Sequence, residues 1–196
     1  MLRYLLMMYV TLVPTIFAGI LVMLWCKLPV LKPIAKPIDM GRNFVDGKRI
    51  FGDNKTWKGL LGYVLFNVIF AVIWGLICKN TSLGQYNFFY QQHENTLTFN
   101  LMIGVILGLG YSLFELPNSF LKRRLDITPG KTVTGFKKVF FVFLDQADSV
   151  FGVALAVWLF FPLGIVLYLA YVLVGAATHL LLNMMLYFMH LRKNMV

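Results

Sequence analysis

Asp145 and Asp148 lie three residues apart in the stretch LDQADSVFG, at the front of a long apolar block. On a helix, that spacing puts both carboxylates on one face. Two carboxylates so placed can share a divalent cation, and Mg²⁺ commonly uses one or two carboxylates together with substrate phosphates. The same spacing also fits an acidic first turn that merely favours the helix dipole. A second group, Lys122, Arg123 and Arg124, follows Phe120 and Leu121. Arginine offers phosphate a bidentate fork and lysine a point charge, although a basic run also fits the positive end of a membrane span. A third group is GKRIFGDNKTWKG, residues 47–59, where Lys48, Arg49, Lys55 and Lys58 surround Asp53 and Asn54. The glycines between them let backbone approach a phosphate closely. Gly130-Lys131-Thr132 copies the tail of a P-loop, but Leu125 stands where that motif needs glycine and no strand precedes it, which excludes a P-loop fold.

The rest of the chain must hold these groups in lipid. Of 196 residues, 59% are hydrophobic and 13% charged, with mean hydropathy +0.75. A soluble domain carries about 25% charge, so the bilayer is the expected solvent. A helix needs about 20 apolar residues to cross it. Candidate spans are Leu5–Trp25, Leu60–Cys78, Leu97–Leu116 and Ala147–Phe161, with a fifth running on to Met189 after the break at Pro162-Leu163-Gly164. The N-terminal apolar stretch exceeds the ~7–15 residues of a signal-peptide core and reads as an uncleaved span. The predicted fold class is therefore all-α, a polytopic helical bundle of about five transmembrane helices. It forms a single membrane domain over residues 1–196, with two catalytic loops, 26–59 and 117–146. Every Lys and Arg except Arg3 and Lys79 falls in those loops or in the tail, so the positive-inside rule puts both loops and the C-terminus in the cytoplasm and the N-terminus outside.

Asp39, Asp46, Asp53, Glu115, Asp126, Asp145 and Asp148 fall on the same side; only Glu94 does not. A formal net charge of +10 placed between apolar spans suits anionic headgroups and phosphorylated ligands rather than nucleic acid. Cys26 and Cys78 are expected on opposite faces and not to pair. His179 and Asn183 share a helix face within the last span, which suits interhelical hydrogen bonding. Gly104 and Gly108 form a small-xxx-small face, expected to serve internal packing.

Taken together, RIFGDNKTWKG, SFLKRRLDITPG and LDQADSVFG, in this order and spacing, resemble the CDP-archaeol synthase family, short relatives of the CTP:phosphatidate cytidylyltransferases. The resemblance runs from about Asp39 to Gly152. It implies an Mg²⁺-dependent membrane enzyme that joins CTP to a phosphatidate-like or archaetidate-like lipid phosphate and releases pyrophosphate. Through it, Asp145 and Asp148 would hold Mg²⁺, with Glu115 as a further candidate ligand, and Lys122, Arg123 and Arg124 would clamp phosphates. Asp145, Asp148, Lys122 and Arg123 would form the catalytic set. Lys55, Thr56 and Lys58 would fix the triphosphate or the lipid phosphate. Asp53, Asn54, Asn118 and Ser119 would hydrogen-bond to base, ribose or metal-bound water. Two positions depart from the family's pattern: Asn54 and Asp126 stand where glycine is common. The competing readings are a CTP-dependent polyprenol kinase, which would release CDP, and a small membrane transporter, which would want ionisable groups at mid-membrane.

Overall fold

The computed structural model describes residues 2–129 and 137–190. Five helices carry the chain: α1 (Leu2–Lys27), α2 (Trp57–Lys79), α3 (Leu97–Arg124), α4 (Lys137–Phe160) and α5 (Gly164–Phe188). All five are long and apolar enough to cross a bilayer, and the chain is a multi-pass membrane protein. Helices suit that solvent because each satisfies its own backbone hydrogen bonds. Among the described residues the extended contacts are two isolated bridges, Pro37 with Thr56 and Asn43 with Arg49.

Small residues set the distances between helices. A Cβ on Gly104 would lie 2.4 Å from Val68 Cα, and one on Gly108 2.5 Å from Val64 Cα, so α2 and α3 touch backbone to backbone. The Gly104/Gly108 face thus packs internally, as expected. Gly110 of α3 and Gly152 of α4 meet in the same way, a Cβ on Gly152 falling 2.0 Å from the Gly110 carbonyl oxygen. Polar side chains inside the bundle bond between helices. Thr15 Oγ1 donates to Asn67 Oδ1 at 2.9 Å, and Trp74 Nε1 to the Val10 carbonyl at 2.8 Å. Asn183 Nδ2 donates to Gln146 Oε1 at 2.7 Å, tying α5 to α4. The segment between α2 and α3 folds into two short 3-10 helices and plugs the bundle with Phe88, fully buried.

Three boundaries differ from the sequence expectation. α2 begins at Trp57 rather than Leu60, because Thr56 is its N-cap and accepts a hydrogen bond from the Gly59 amide at 3.1 Å. α3 does not stop at Leu116: it continues through Pro117 to Arg124. α4 starts at Lys137, not Ala147. Residues 117–124 and 137–146 of the expected second loop are therefore helical. Asp145 and Asp148 sit about two turns or more inside α4, which removes the reading of a solvated first turn. The break at 162–164 is where expected, with Gly164 at φ +64° opening α5. Cys26 and Cys78 are both free thiols, as anticipated. Gly130-Lys131-Thr132 and the basic tail at Arg192 and Lys193 lie outside the described residues.

The connection between α1 and α2 is organised around one carboxylate. Asp39 accepts hydrogen bonds from the amides of Gly41, Phe51 and Gly52 at 2.9–3.1 Å and pairs with Arg49 at 2.7 Å. Its burial opposes the charge, but Arg49 and the three amides outweigh it and hold the carboxyl well below the ordinary carboxylate range. This fixes Gly52 at φ +94°, against Pro129 and Arg123, where a Cβ would lie 2.8 Å from Pro129 Cγ. The loop also clasps the end of α3. Lys48 Nζ reaches Asp126 Oδ2 at 2.7 Å and the Arg124 carbonyl at 3.0 Å, while Arg124 Nη2 donates to the Arg49 carbonyl at 2.5 Å.

Candidate active site

On α3, Tyr111, Glu115, Asn118 and Lys122 recur at steps of four, three and four, a single helical stripe. Opposite them α4 offers Asp145 and Asp148. Asn118 Nδ2 joins the two, donating to Asp145 Oδ1 and Asp148 Oδ2 at 2.7 Å each. Lys122 Nζ donates to both oxygens of Asp145, at 2.5 and 2.6 Å. The Ser149 amide holds the remaining oxygen of Asp148 at 2.6 Å. From the other side Lys55 forms an ion pair with Glu115. Burial works against the charge of Lys55, but Glu115, with Asp148 and Asp145 beyond it, outweighs that cost and raises its pKa. Arg123 differs from both lysines: it is 8% exposed, and its Nε and Nη1 have no hydrogen-bond partner among the described residues.

These groups share one cavity of about 420 Å³. Asn54, Lys55, Glu115, Asn118, Ser119, Lys122, Arg123, Asp145 and Asp148 line its polar end. The sequence expected all nine at the site. Its other wall is apolar, from Leu12, Ile16, Ile20 and Met23 of α1 to Leu182 and Leu186 of α5. Tyr63, Tyr111, His179 and Asn183 also line the cavity and were not anticipated as site residues. The signal for Tyr111 was available, since it continues the Glu115–Asn118–Lys122 stripe by one further turn.

Four expected site residues lie elsewhere. Lys58 is buried, donates to the Leu28 carbonyl at 2.6 Å and sits 5.2 Å over the Trp25 ring. It fastens α2 to the end of α1. Thr56 caps α2 and lines a smaller cavity of about 260 Å³ behind the Lys55–Glu115 pair. Asp53 is exposed and pairs with Arg49 at 2.9 Å. Arg124 packs over the rings of Phe44 and Phe120 and pairs with Asp46 at 2.8 Å. Of the two departures from the family pattern, Asp126 has φ +57°. That left-handed backbone explains why glycine suits the position, and aspartate is among the side chains that tolerate it best. Asn54 has no such strain and lines both cavities.

Among the described residues, no three His, Cys, Asp or Glu side chains converge to hold a metal ion alone. Asp145 and Asp148 nevertheless fit Mg²⁺, which takes one or two carboxylates and completes its shell with phosphate oxygens and water. Two carboxylate oxygens, each 2.7 Å from one amide nitrogen, are a donor set of that kind.

A five-helix membrane bundle whose charged site continues into an apolar wall defines a protein that works at the boundary of lipid and water. The chain belongs to the CarS-like CDP-archaeol synthase family, which it matches over residues 4–195. It is 38% identical over 119 residues to the CDP-archaeol synthase of Archaeoglobus fulgidus, covering 57% of this chain and 63% of that one. To that of Thermofilum pendens it is 34% identical over 149 residues, covering 76% and 60%. The Methanocaldococcus jannaschii protein is 28% identical over 152 residues, covering 77% and 78%. The chain thus spans less than two thirds of the length of the first two of these relatives. In fold it is similar to a solved structure of an intramembrane enzyme for archaeal membrane lipid biosynthesis. That match has a TM-score of 0.59 at 23% identity and covers 89% of this chain and 90% of that one.

Proposed function

We propose that this protein is a membrane CTP:lipid-phosphate cytidylyltransferase. It transfers CMP from CTP to an archaeol-type lipid phosphate, giving a CDP-lipid and pyrophosphate. The observation that carries the reading is the continuity of one cavity, from Lys55, Lys122, Arg123, Asp145 and Asp148 to the apolar wall of α1 and α5. One reactant is a polyanion from water and the other has its phosphate on a lipid, and the two ends of the cavity match them. Family membership supports the same assignment. The distribution of Lys and Arg favours a polar end that faces the cytoplasm of the cell membrane.

In the reaction, an oxygen of the lipid phosphate attacks the α-phosphorus of CTP. The bond from that phosphorus to the bridging oxygen of the β-phosphate breaks, and pyrophosphate leaves with the electron pair. A phosphate monoester has a second pKa of about 6, so the nucleophile is ionised near neutrality and no strong base is required. The barrier lies in bringing two anions together in line. Arg123, whose Nε and Nη1 have no hydrogen-bond partner among the described residues, takes phosphate oxygens with its fork. Lys55 and Lys122 add charge on either side, and such fixed cations stabilise the charge that develops on transfer. Asn118 holds the two aspartates in register, and Asn54 and Ser119 supply hydrogen-bonding groups to the nucleotide. A Mg²⁺ ion on Asp145 and Asp148 would supply charge for the departing pyrophosphate. The α1 and α5 wall receives the lipid chains.

The test is a product assay on purified protein in detergent with Mg²⁺, CTP labelled at the α-phosphorus, and archaeol-type and phosphatidic acceptors in parallel. Label in a chloroform-soluble CDP-lipid, with pyrophosphate released, is expected. Label recovered in water-soluble CDP would indicate γ-phosphoryl transfer instead. Full turnover by correctly inserted Asp145→Asn and Asp148→Asn proteins would remove the proposed site.

A further inference from the structure

The polar end of the cavity contains a contact that competes with cation binding. Lys122 Nζ lies 2.5 and 2.6 Å from the two oxygens of Asp145, so the ammonium already occupies the carboxylate that would have to receive a divalent ion. Asn118 adds to the effect by directing its amide nitrogen at both aspartates, while its own buried Oδ1 has no donor among the described residues. A cation approaching Asp145 must displace a lysine of like sign, and that lysine then needs a new anion. The other carboxylates lining the cavity are committed: Glu115 to Lys55, and Asp148 to Asn118 and the Ser149 amide. The protein's own ligands also fall short of a full shell, since no three acidic or imidazole groups converge among the described residues. Both features point the same way. A metal ion alone meets a blocked, incomplete site. A metal ion that arrives with a polyphosphate brings the missing oxygens and also an anion for Lys122.

We propose that Lys122 is a latch on Asp145. It keeps divalent cations out until an anionic substrate is present, then swings from Asp145 to that anion. Metal and nucleotide therefore bind synergistically, and Lys122 acts both as a positioning residue and as the source of the coupling. The proposal deepens the cytidylyltransferase reading and rests on it only for the identity of the anion.

The test uses purified full-length protein in detergent and Mn²⁺ as the probe, with protein-bound Mn²⁺ read by water-proton relaxation rather than by turnover. Wild type should bind Mn²⁺ alone weakly. Lys122→Met, which removes the charge and keeps the length, should bind it about tenfold more tightly, within the usual range of coupling between linked sites. Lys122→Arg should stay weak, because it restores the competing cation, and melting curves establish that each variant is folded. The added affinity must vanish in Lys122→Met/Asp145→Asn, which identifies the site as this one. CTP should draw Mn²⁺ into wild type, and much of that synergy should disappear in Lys122→Met. Mn²⁺ alone binding Lys122→Met no more tightly than wild type would overturn the latch, whatever CTP does. A tighter Lys122→Met site combined with no effect of CTP on wild type would leave the latch standing and remove the nucleotide reading instead.

Discussion

Arg123 is a guanidinium buried to 8% exposure, with two nitrogens that have no hydrogen-bond partner among the described residues. Burying a charge without hydrogen bonds to satisfy it costs several kcal/mol, and the charge of Arg49 adds to that cost while only Asp53 opposes it, so stability alone would not select this residue. Replacing it by methionine should leave the melting temperature unchanged or raise it. The same change should lower turnover by about 100-fold or more, as the loss of a fixed transition-state donor does. Thermal unfolding in detergent beside the CDP-lipid assay reads both effects, and a large loss of stability would contradict the argument. Lys58 is the reverse case. It comes from the same KTWKG stretch as Lys55, yet it is bonded to the Leu28 carbonyl and set over Trp25. Lys58→Met should cost about 1.5–3 kcal/mol, the range for a hydrogen bond from a charged group, while the KM for CTP in the folded fraction stays unchanged. Sequence spacing does not separate the two lysines, because the difference lies in which way the loop turns before Thr56 caps α2. That turn is set by Asp39, sixteen residues upstream of Lys55.

At the scale of elements, the α1–α2 loop depends on the Asp39 carboxylate, and its pH response follows from the depressed folded-state pKa. A carboxylate with a lower pKa in the folded than in the unfolded chain contributes stability that is complete above its ordinary value of 3.8 and lost as pH falls through the folded value. Between pH 7 and 5 the loop should therefore hold its protection, with loosening confined to the acid side of the ordinary value. Asp39→Asn should loosen it at every pH. Amide exchange across residues 39–52 measures both, and a wild-type loop that loosens already between pH 7 and 5 would contradict the assignment. The helix interfaces make a second demand. Gly108→Leu would drive a side chain into the α2 backbone, where even a Cβ lies 2.5 Å from Val64 Cα. Overpacking of this kind costs about 1–3 kcal/mol or more and should show as a lower melting temperature and poorer insertion. The Gly104/Gly108 role was legible from spacing alone. The length of α3 was not, because Pro117 looks like a stop: a proline removes one helical hydrogen bond and crowds the preceding turn. Contacts that follow it carry the helix onward, as Asn118 and Lys122 are held by α4 and Arg124 by the first loop. The stripe Tyr111–Glu115–Asn118–Lys122 was the sequence sign that outweighs the proline.

Considered as a whole, the molecule is a bundle whose apolar pattern made the number of spans readable, since each crossing must satisfy its backbone internally. The same pattern says little about which side chains meet, because every helix is apolar on nearly all faces. The site was legible to the extent that charge is rare: nine polar residues from three separate segments could meet only at one end of the bundle. The positive-inside rule predicts that the basic end faces the cytoplasm, and the chain carries its own probe of this. Cys26 is exposed at the end of α1, beside Lys27 and the first basic loop, whereas Cys78, at the opposite end of α2, is 4% exposed. If the basic loops are cytoplasmic, a membrane-impermeant maleimide should label inside-out vesicles and leave right-side-out cells unlabelled. Cys26→Ser should abolish the labelling and Cys78→Ser should leave it intact. Labelling of intact cells through Cys26 would invert the whole arrangement. CTP would then have no access to Arg123 from the compartment that makes it, so the result would count against the cytidylyltransferase assignment as well as the topology.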